Sequence, residues 1–315
     1  MFTVVGTDTY LGAHMEKHLR SKFQLVYGYS QNEEIAVDIR EIPVNEINKL
    51  PKNIPSVKSD WFVVCIDPGI GFEKYIEKLK RLFDDLAAQG FIGDICFLSS
   101  AALCMPDIGQ KITEDTIVYS RNEHDLAFAV GEQLLTVLGC SGKGYAVPHI
   151  MRIGVPYGDE IGMEKLPGLV NRLVADAQDQ SAVQIPLGRE AKRSLTHISD
   201  ICESVIGLMC SEYCPPLVNI PGETKSIGDI GRAISESCQA VFKESGLSRY
   251  DDLDFYTGDQ ELSDDIFKEH LKYNRRYSFE KWLGERRYLR QLIQVNALHS
   301  ISRQNLGACP DQAML

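Results

Sequence analysis

Residues 2–12 of the chain read FTVVGTDTYLG, and this short stretch decides the fold. Its first four residues form an apolar run that predicts a buried β-strand, and a helix is predicted over residues 11–22. Between them, Gly6 and Gly12 hold the outer positions of a GxxGxxG pattern and Thr9 holds the middle one. In a dinucleotide-binding turn these positions make the tight turn, admit the pyrophosphate and allow close helix packing. Thr9 puts a β-branched side chain where phosphates would press closest, and a plain strand-to-helix turn also explains two such glycines.

Apolar runs and helical patterns alternate through the rest of the first half. Strands are predicted at 24–29, 61–66, 95–98 and 150–153, and helices over 72–89 and 125–138. Continuous apolar strands separated by helices indicate a parallel sheet covered on both faces. We therefore predict an α/β fold with a doubly wound, Rossmann-type parallel sheet in residues 1–158.

The second half is less regular and richer in charge. Residues 159–315 are predicted to form mainly a smaller C-terminal α/β lobe that binds substrate, with further sheet elements around 190–220. A short strand and a helix are expected within 191–208, a helix over 226–245 and an acidic loop over 249–265. About the last 12 residues have little periodicity and are expected to form a tail.

The charge and cysteine content exclude several classes of protein. The chain has 33 Lys and Arg against 44 Asp and Glu, a formal net charge of −11. Nucleic acids and anionic membranes need a basic face, so neither is predicted as a partner, and an anionic ligand would depend on local donors. The 9 cysteines lack CxxC spacing, which predicts reduced thiols in the cytoplasm and no metal site. No apolar stretch approaches the ~20 residues that a membrane-spanning helix needs.

Six further segments follow the glycine turn along the chain. They are VDIR at 37–40, FLSSAA at 97–102, ITED at 112–115, RIGVPYG at 152–158, KRSLTHISD at 192–200 and RRYS at 275–278. Together with the turn, they resemble the landmarks of the extended short-chain dehydrogenase/reductase superfamily, in the same order. That branch contains NAD(P)-dependent nucleotide-sugar epimerases, dehydratases and reductases. The resemblance covers most of the chain and implies the doubly wound fold.

The resemblance also implies a cofactor site and a substrate site. NAD or NADP would be held by the glycine turn and by the segment that usually carries the adenine-binding aspartate, at Gly6, Thr9, Tyr10, Leu11, Gly12, Asp38 and Ile39. The second strand ends at Tyr29 or Ser30, and neither residue decides between NAD and NADP. A nucleotide-sugar substrate would be gripped at its diphosphate by Arg193, Arg275 and Arg276, since a planar fork of donors suits phosphate. The predicted assembly is a homodimer.

The catalytic residues of the resembled family are only partly present. There, a serine works with a YxxxK pair on one helix, in which the lysine activates the tyrosine for proton exchange. Ser100 stands at the serine position, but the tyrosine and lysine positions fall on His124 and Phe128. Phenylalanine offers no charge and no donor, whereas His124 is either a proton carrier or a solvated residue near a helix start. Asp67, after the third strand, either lies near a ligand or caps the following helix.

Three hypotheses for function remain open at this stage. The first is an atypical NAD(P)-dependent nucleotide-sugar epimerase, dehydratase or reductase, in which Ser100 polarises the substrate oxygen and His124 or water replaces the tyrosine. The second is a catalytically silent relative that regulates or scaffolds another protein. The third is a protein of the same fold with an unrelated ketone or acyl substrate. The sequence does not decide whether the protein is an enzyme.

Overall fold

A computed structural model describes residues 1–32, 60–106, 109–140, 145–158, 168–179, 181–186, 190–245 and 258–286. Its centre is a six-stranded parallel sheet with the strand order β2-β1-β3-β4-β5-β9. The strands of this sheet are β1 (Phe2–Val5), β2 (Val26–Tyr29), β3 (Trp61–Val64), β4 (Ile92–Ser100), β5 (Tyr145–Ile153) and β9 (Leu217–Ile220). The two cofactor residues proposed after β2, Asp38 and Ile39, lie outside the described residues.

Helices cover both faces of this sheet. On one face, α1 (Tyr10–Lys22) and α5 (Ile198–Met209) pack their apolar sides against the strands. On the other face lie α2 (Phe72–Ala88) and α3 (Glu123–Cys140). Helix α2 is amphipathic, because its buried residues Tyr75, Leu79, Leu82, Phe83 and Leu86 recur at helical spacing. The predicted doubly wound α/β fold is confirmed.

A smaller lobe is built from the second half of the chain. It contains a three-stranded sheet, a two-stranded parallel sheet and the helices around them. Its elements are β6 (Val155–Tyr157), α4 (Leu169–Asp179), β7 (Ala182–Pro186), β8 (Lys192–His197), β10 (Glu223–Ser226), α6 (Ile227–Cys238), β11 (Val241–Ser245) and α7 (Asp265–His270). The rings of Phe279 and Trp282, in the helical residues 279–286, lie 5.5 and 5.1 Å from the ring of Tyr157 and complete the lobe's core.

One prediction in this half was wrong in detail. The helix expected over 226–245 ends at Cys238, because Gln239 takes a left-handed conformation with φ of 55°. The chain then forms β11, which pairs in parallel with β7, so long-range strand pairing replaces the expected last turns of the helix. In the acidic segment expected to be a loop over 249–265, the described residues 258–264 form no helix, and the short helix α7 begins at Asp265.

Two further findings concern membrane-spanning helices and cysteines. Within the part of the chain that the structure describes, no helix is long and apolar enough to cross a membrane. The cysteines at positions 65, 96, 104, 202, 210, 214 and 238 are free, and the first four of them are buried. Burial raises the pKa of the Cys104 thiol to about 11, so it stays protonated and unreactive at neutral pH.

Candidate functional site

A cavity of about 300 Å³ opens at the carboxyl ends of β4 and β5, between the sheet and the lobe. This is where doubly wound folds bind their ligands. The cavity is lined by Leu11, Asp67, Ser99, Ser100, Ala102, His124, Asp125, Phe128, Ile153, Gly154, Val155, Pro156, Gly168, Leu169, Arg172, Arg193 and Gln260. Four of the site residues proposed from the sequence, Leu11, Ser100, His124 and Arg193, therefore meet at one cavity.

The glycine turn beside this cavity is built by close backbone packing. Gly6 has φ of +92°, and a Cβ there would lie 2.7 Å from the carbonyl oxygen of Cys65. A Cβ at Gly12 would lie 1.9 Å from the carbonyl oxygen of Gly6. Both glycines are therefore required to seat α1 against the sheet, whether or not a ligand binds.

Thr9 turns its side chain into the turn. Its hydroxyl lies 2.8 Å from the carbonyl oxygen of Gly6 and 2.9 Å from that of Cys65, and it accepts the N–H of Gly12 at 3.0 Å. Thr9 thus caps α1 and satisfies one of the backbone donors at the helix start. The neighbouring Tyr10 is also buried, and its hydroxyl donates to the carbonyl oxygen of Gly158 at 2.9 Å, tying α1 to the start of the lobe.

Ser100 lies at the end of β4, at the edge of the cavity. Its hydroxyl accepts the N–H of Ala102 at 3.1 Å and caps one turn of 3-10 helix over Ala101–Leu103. A hydroxyl oxygen that accepts one hydrogen bond still has its own proton to donate. Ser100 can therefore donate a hydrogen bond to a ligand oxygen in the cavity.

His124 and Phe128 stand one helical turn apart on α3, and their rings are 5.1 Å apart. His124 is exposed at the cavity, whereas Phe128 is 9% exposed. The ring of Phe128 lies 6.2 Å from Tyr75 and 6.4 Å from Phe97 in edge-on contacts. The position expected for a lysine thus belongs to the hydrophobic core, and α3 presents no cation there.

The start of α3 is fixed by an ion pair that the sequence analysis missed. Arg121 donates from Nε to the buried carboxylate of Asp125 at 2.9 Å, and from Nη2 to the carbonyl oxygen of Ala102. These contacts connect the turn after Ser100 to the helix that carries His124. They fix the relative positions of the two candidate catalytic residues, which line one cavity.

A second missed group joins three elements and includes Ser99, which lines the cavity. Arg152 of β5 donates to both carboxylate oxygens of Glu132 on α3, at 3.0 and 2.8 Å, and the hydroxyl of Ser99 donates to Glu132 at 2.7 Å. All three side chains are buried. A signal was present in the sequence, since Arg152 interrupts an apolar strand and Glu132 lies on the inward side of an apolar helix. Opposite charges at two such positions indicate a buried pair.

The three predicted substrate arginines do not meet. Arg193 is 1% exposed, lines the cavity and donates from Nη1 to the carbonyl oxygens of Lys192 and Gly258 at 2.8 and 2.9 Å. Arg275 and Arg276 are exposed and do not line the cavity. Arg276 instead borders a separate crevice of about 180 Å³ between α1 and α5.

Two cavity residues come from parts of the chain that carried no motif. Arg172 reaches the cavity from α4, and Gln260 reaches it from the segment before α7. The Nε2 atom of Gln260 is buried and has no hydrogen-bond partner among the residues that the structure describes. With Arg193, these side chains put hydrogen-bond donors along the lobe side of the cavity.

Asp67 adopts the capping role that the sequence analysis considered. Its carboxylate accepts the N–H of Gly69 at 2.7 Å and caps the short helix Pro68–Ile70, while it also borders the cavity. Its own N–H donates to the side-chain oxygen of Gln31 at 2.9 Å. Within the described ranges, no group of three His, Cys, Asp or Glu residues is placed to hold a metal ion.

Comparison with known proteins defines the type of fold. No family model and no curated protein matches the chain. A solved NAD-dependent NDP-hexosamine 5,6-dehydratase of tunicamycin biosynthesis matches with a TM-score of 0.70 at 13% identity, over 90% of this chain and 94% of that one. The fold is that of the NAD-dependent nucleotide-sugar epimerases and dehydratases. The resemblance stated from the sequence is thus confirmed at the level of the fold.

Two other solved structures of this epimerase/dehydratase fold are similar to the same degree. UDP-glucuronic acid 4-epimerase from Bacillus cereus, in complex with a UDP-sugar and NAD, has a TM-score of 0.70 at 16% identity, covering 92% of this chain and 99% of that one. The dTDP-glucose 4,6-dehydratase from Streptomyces venezuelae, with NAD bound, has a TM-score of 0.70 at 14% identity, covering 92% and 97%.

The residues present here do not fit the NAD of these neighbours in the way that the resemblance implies. The lysine position is the core residue Phe128, which cannot hydrogen-bond a ribose. Asp8 adds a carboxylate to the glycine turn, the element that holds the pyrophosphate in doubly wound folds. Burial alone would raise the pKa of Asp8, but hydrogen bonds from Gln31, Ser30 and Asn32 lower it, so the carboxylate is charged at neutral pH.

Proposed function

We propose that this chain is a nucleotide-sugar-binding protein that has lost the chemistry of its epimerase/dehydratase fold and acts as a regulatory or scaffolding subunit. The observation that carries the proposal is the pairing of a retained ligand cavity with Phe128 at the lysine position. Ser100 and Arg193 still line that cavity, while the cation needed for proton exchange is replaced by an apolar ring at Phe128. Binding groups are thus kept where catalytic groups are not.

The lining of the cavity suits a sugar that carries an anionic group. Arg172, Arg193 and Gln260 supply planar donors on the lobe side, and such forks hydrogen-bond phosphate or carboxylate oxygens in pairs. Leu11, Phe128 and other apolar side chains face them and would pack against the sugar ring. In a protein with a net charge of −11, this local set would supply the positive charge that an anionic ligand needs.

Isothermal titration calorimetry with UDP-glucose, UDP-glucuronate and dTDP-glucose tests the proposal. We expect at least one ligand to bind, and Arg172→Met to weaken that binding about tenfold or more, because a charge-assisted hydrogen bond is lost. The matched control is Arg232→Met, which removes an arginine from an exposed ion pair on α6. If none of the three sugars binds the folded protein, the proposal is wrong.

A second candidate is the atypical enzyme, and one observation favours it. Ser100 and His124 line the same cavity, so a hydroxyl donor and an imidazole, the side chain that most often serves as a general acid or base, border one space. This candidate predicts that a bound sugar is converted and that His124→Gln abolishes the conversion. Nucleotide-sugars incubated with the protein, with and without added NAD or NADP, would be analysed by mass spectrometry and NMR. Unchanged sugars favour the binding protein, and turnover lost in His124→Gln favours the enzyme.

We further propose a homodimer in the cytoplasm. The face formed by α2 and α3 has an apolar groove of about 430 Å³, at which Val137 is 63% exposed. A second copy seated there would remove this apolar surface from water. Sedimentation of Val137→Glu should then show a monomer, whereas Val241→Glu, which alters an equally apolar residue that is 57% exposed on the lobe, should leave the dimer intact. A wild-type monomer would rule out the dimer.

A further inference from the structure

We propose that three residues, Asp8, Gln31 and Asp67, form a bridge across the nucleotide crevice that takes the place of the adenosine half of a dinucleotide. In this protein, therefore, the fold binds its ligand without NAD or NADP. The inference goes beyond the proposed function, because it concerns the carboxyl ends of β1 to β3 and not the sugar cavity.

The bridge is a chain of hydrogen bonds through one buried side chain. Gln31 is 7% exposed. Its backbone N–H donates to the carboxylate of Asp8 at 2.6 Å, and its side-chain oxygen accepts the N–H of Asp67 at 2.9 Å. A glutamine that bonds at both its backbone and its side chain, and is buried between them, holds its two neighbours at a set distance.

The strand order determines what this bridge crosses. Strand β1 lies between β2 and β3 in the sheet. Gln31 follows β2 and Asp67 follows β3, so the glutamine side chain passes over the carboxyl end of β1, where the glycine turn begins. The turn is also drawn toward β2, because the N–H groups of Gly6 and Thr7 both donate to the carbonyl oxygen of Tyr29, at 2.7 and 3.0 Å.

A dinucleotide needs this same space. In doubly wound folds it lies across the crevice at the strand ends, with its pyrophosphate at the start of the first helix and its adenosine toward the second strand. Here that path is occupied by the Gln31 side chain. The path of the dinucleotide also passes the Asp8 carboxylate. This carboxylate accepts hydrogen bonds from Gln31, Ser30 and Asn32, none of which is charged. A pyrophosphate would therefore meet a negative charge as well as a filled crevice.

ADP-ribose is the suitable probe, since it contains the adenosine and pyrophosphate of NAD and does not need the Phe128 region. Calorimetry should detect no binding to the wild-type protein at about 1 mM. The double variant Asp8→Ser/Gln31→Ser opens the crevice and removes the charge, and its affinity should rise about tenfold or more. Asn32→Ala is the control, because it removes an exposed donor to Asp8 and leaves the bridge in place.

Amide exchange shows directly whether the bridge has opened. The N–H of Asp67 should be protected from exchange in the wild type and in Asn32→Ala, and should exchange faster in Gln31→Ser. Gln31→Ser is the single variant to use if the double variant does not fold. Wild-type binding of ADP-ribose below about 0.1 mM would overturn the inference. The inference would also be overturned by a folded variant in which the Asp67 amide exchanges faster but the affinity for ADP-ribose does not increase. UDP-glucose titrated into the same samples tests the sugar cavity, so a failure of the proposed sugar binding can be distinguished from a failure of the inference about the bridge.

Discussion

The buried ion pair between Arg152 and Glu132 allows a quantitative test of how much a buried charge pair contributes to the free energy of unfolding. The two side chains are only 5% and 6% exposed, and they share two hydrogen bonds. In Arg152→Met, the apolar side chain fills a similar volume but leaves the carboxylate of Glu132 buried without its cation. The hydroxyl of Ser99 still donates to that carboxylate, at 2.7 Å.

Breaking a buried pair by removing one partner costs about 3–5 kcal/mol. Since the Ser99 bond remains, we expect Arg152→Met to lower the free energy of unfolding by about 3 kcal/mol. The double variant Arg152→Met/Glu132→Leu removes both charges, and its free energy of unfolding should lie within about 1 kcal/mol of the wild type. The single variant therefore measures an unpaired charge, whereas the double variant measures the net contribution of the pair.

Urea unfolding followed by tryptophan fluorescence would measure both variants, since Trp61 and Trp282 are buried in the sheet and the lobe. The slope of unfolding against urea should be unchanged, which shows that the change lies in stability and not in compactness. The reasoning is refuted if Arg152→Met costs less than about 1 kcal/mol, or if the double variant is as unstable as the single one.

Three further predictions concern stability. Asp8→Asn should lower the free energy of unfolding by less than about 1 kcal/mol at pH 7, because the carboxylate is partly exposed. The folded-state pKa of Asp8 is lowered, so its carboxylate stabilises the fold above the unfolded pKa of about 3.9 and loses this effect as the pH falls through the folded pKa. Thermal unfolding should therefore show the difference shrink as the pH falls below about 3.9. Gly12→Ala should lower the free energy of unfolding, measured by urea unfolding, by about 3 kcal/mol, because its Cβ would clash with the backbone of Gly6. Its control Gly284→Ala, with open space around an exposed helical residue, should stabilise by up to about 1 kcal/mol. Tyr75→Phe should raise the free energy of unfolding by about 1 kcal/mol, because it deletes a buried hydroxyl with no partner among the described residues. A decrease in the free energy of unfolding of about 1 kcal/mol would contradict this prediction.

The central sheet could be predicted because its strands are apolar on both faces. All four residues of Trp61–Val64 are buried, as a parallel strand covered by helices requires. The ends of the strands were less accessible to prediction. Strand β4 was expected at 95–98 but runs over Ile92–Ser100, because its ladder with β5 continues through polar and exposed residues. Apolar runs mark where a strand is buried, whereas backbone pairing determines where it ends.

Some residues of the candidate site could likewise be predicted from the sequence, whereas others depend on tertiary packing. Ser100 and His124 could be located because the resembled family places its catalytic groups at a strand end and along one helix. Arg172 and Gln260 could not, because they reach the cavity from elements whose positions depend on the packing of the lobe. Gln31 carried no signal, since its role depends on β1 lying between β2 and β3. Contacts across the sheet order follow from topology, which local sequence does not encode.

The sixth strand of the sheet has a consequence for how the protein folds during synthesis. Strand β5 pairs with β9, which is made from residues 217–220, long after β5 itself leaves the ribosome. At about 5–20 residues per second, the edge of β5 stays open for roughly 3–13 seconds. An open strand edge is a template for pairing with another chain. A nascent or truncated chain that stops near residue 158 should therefore associate with itself or be bound by chaperones, although it contains the whole glycine turn.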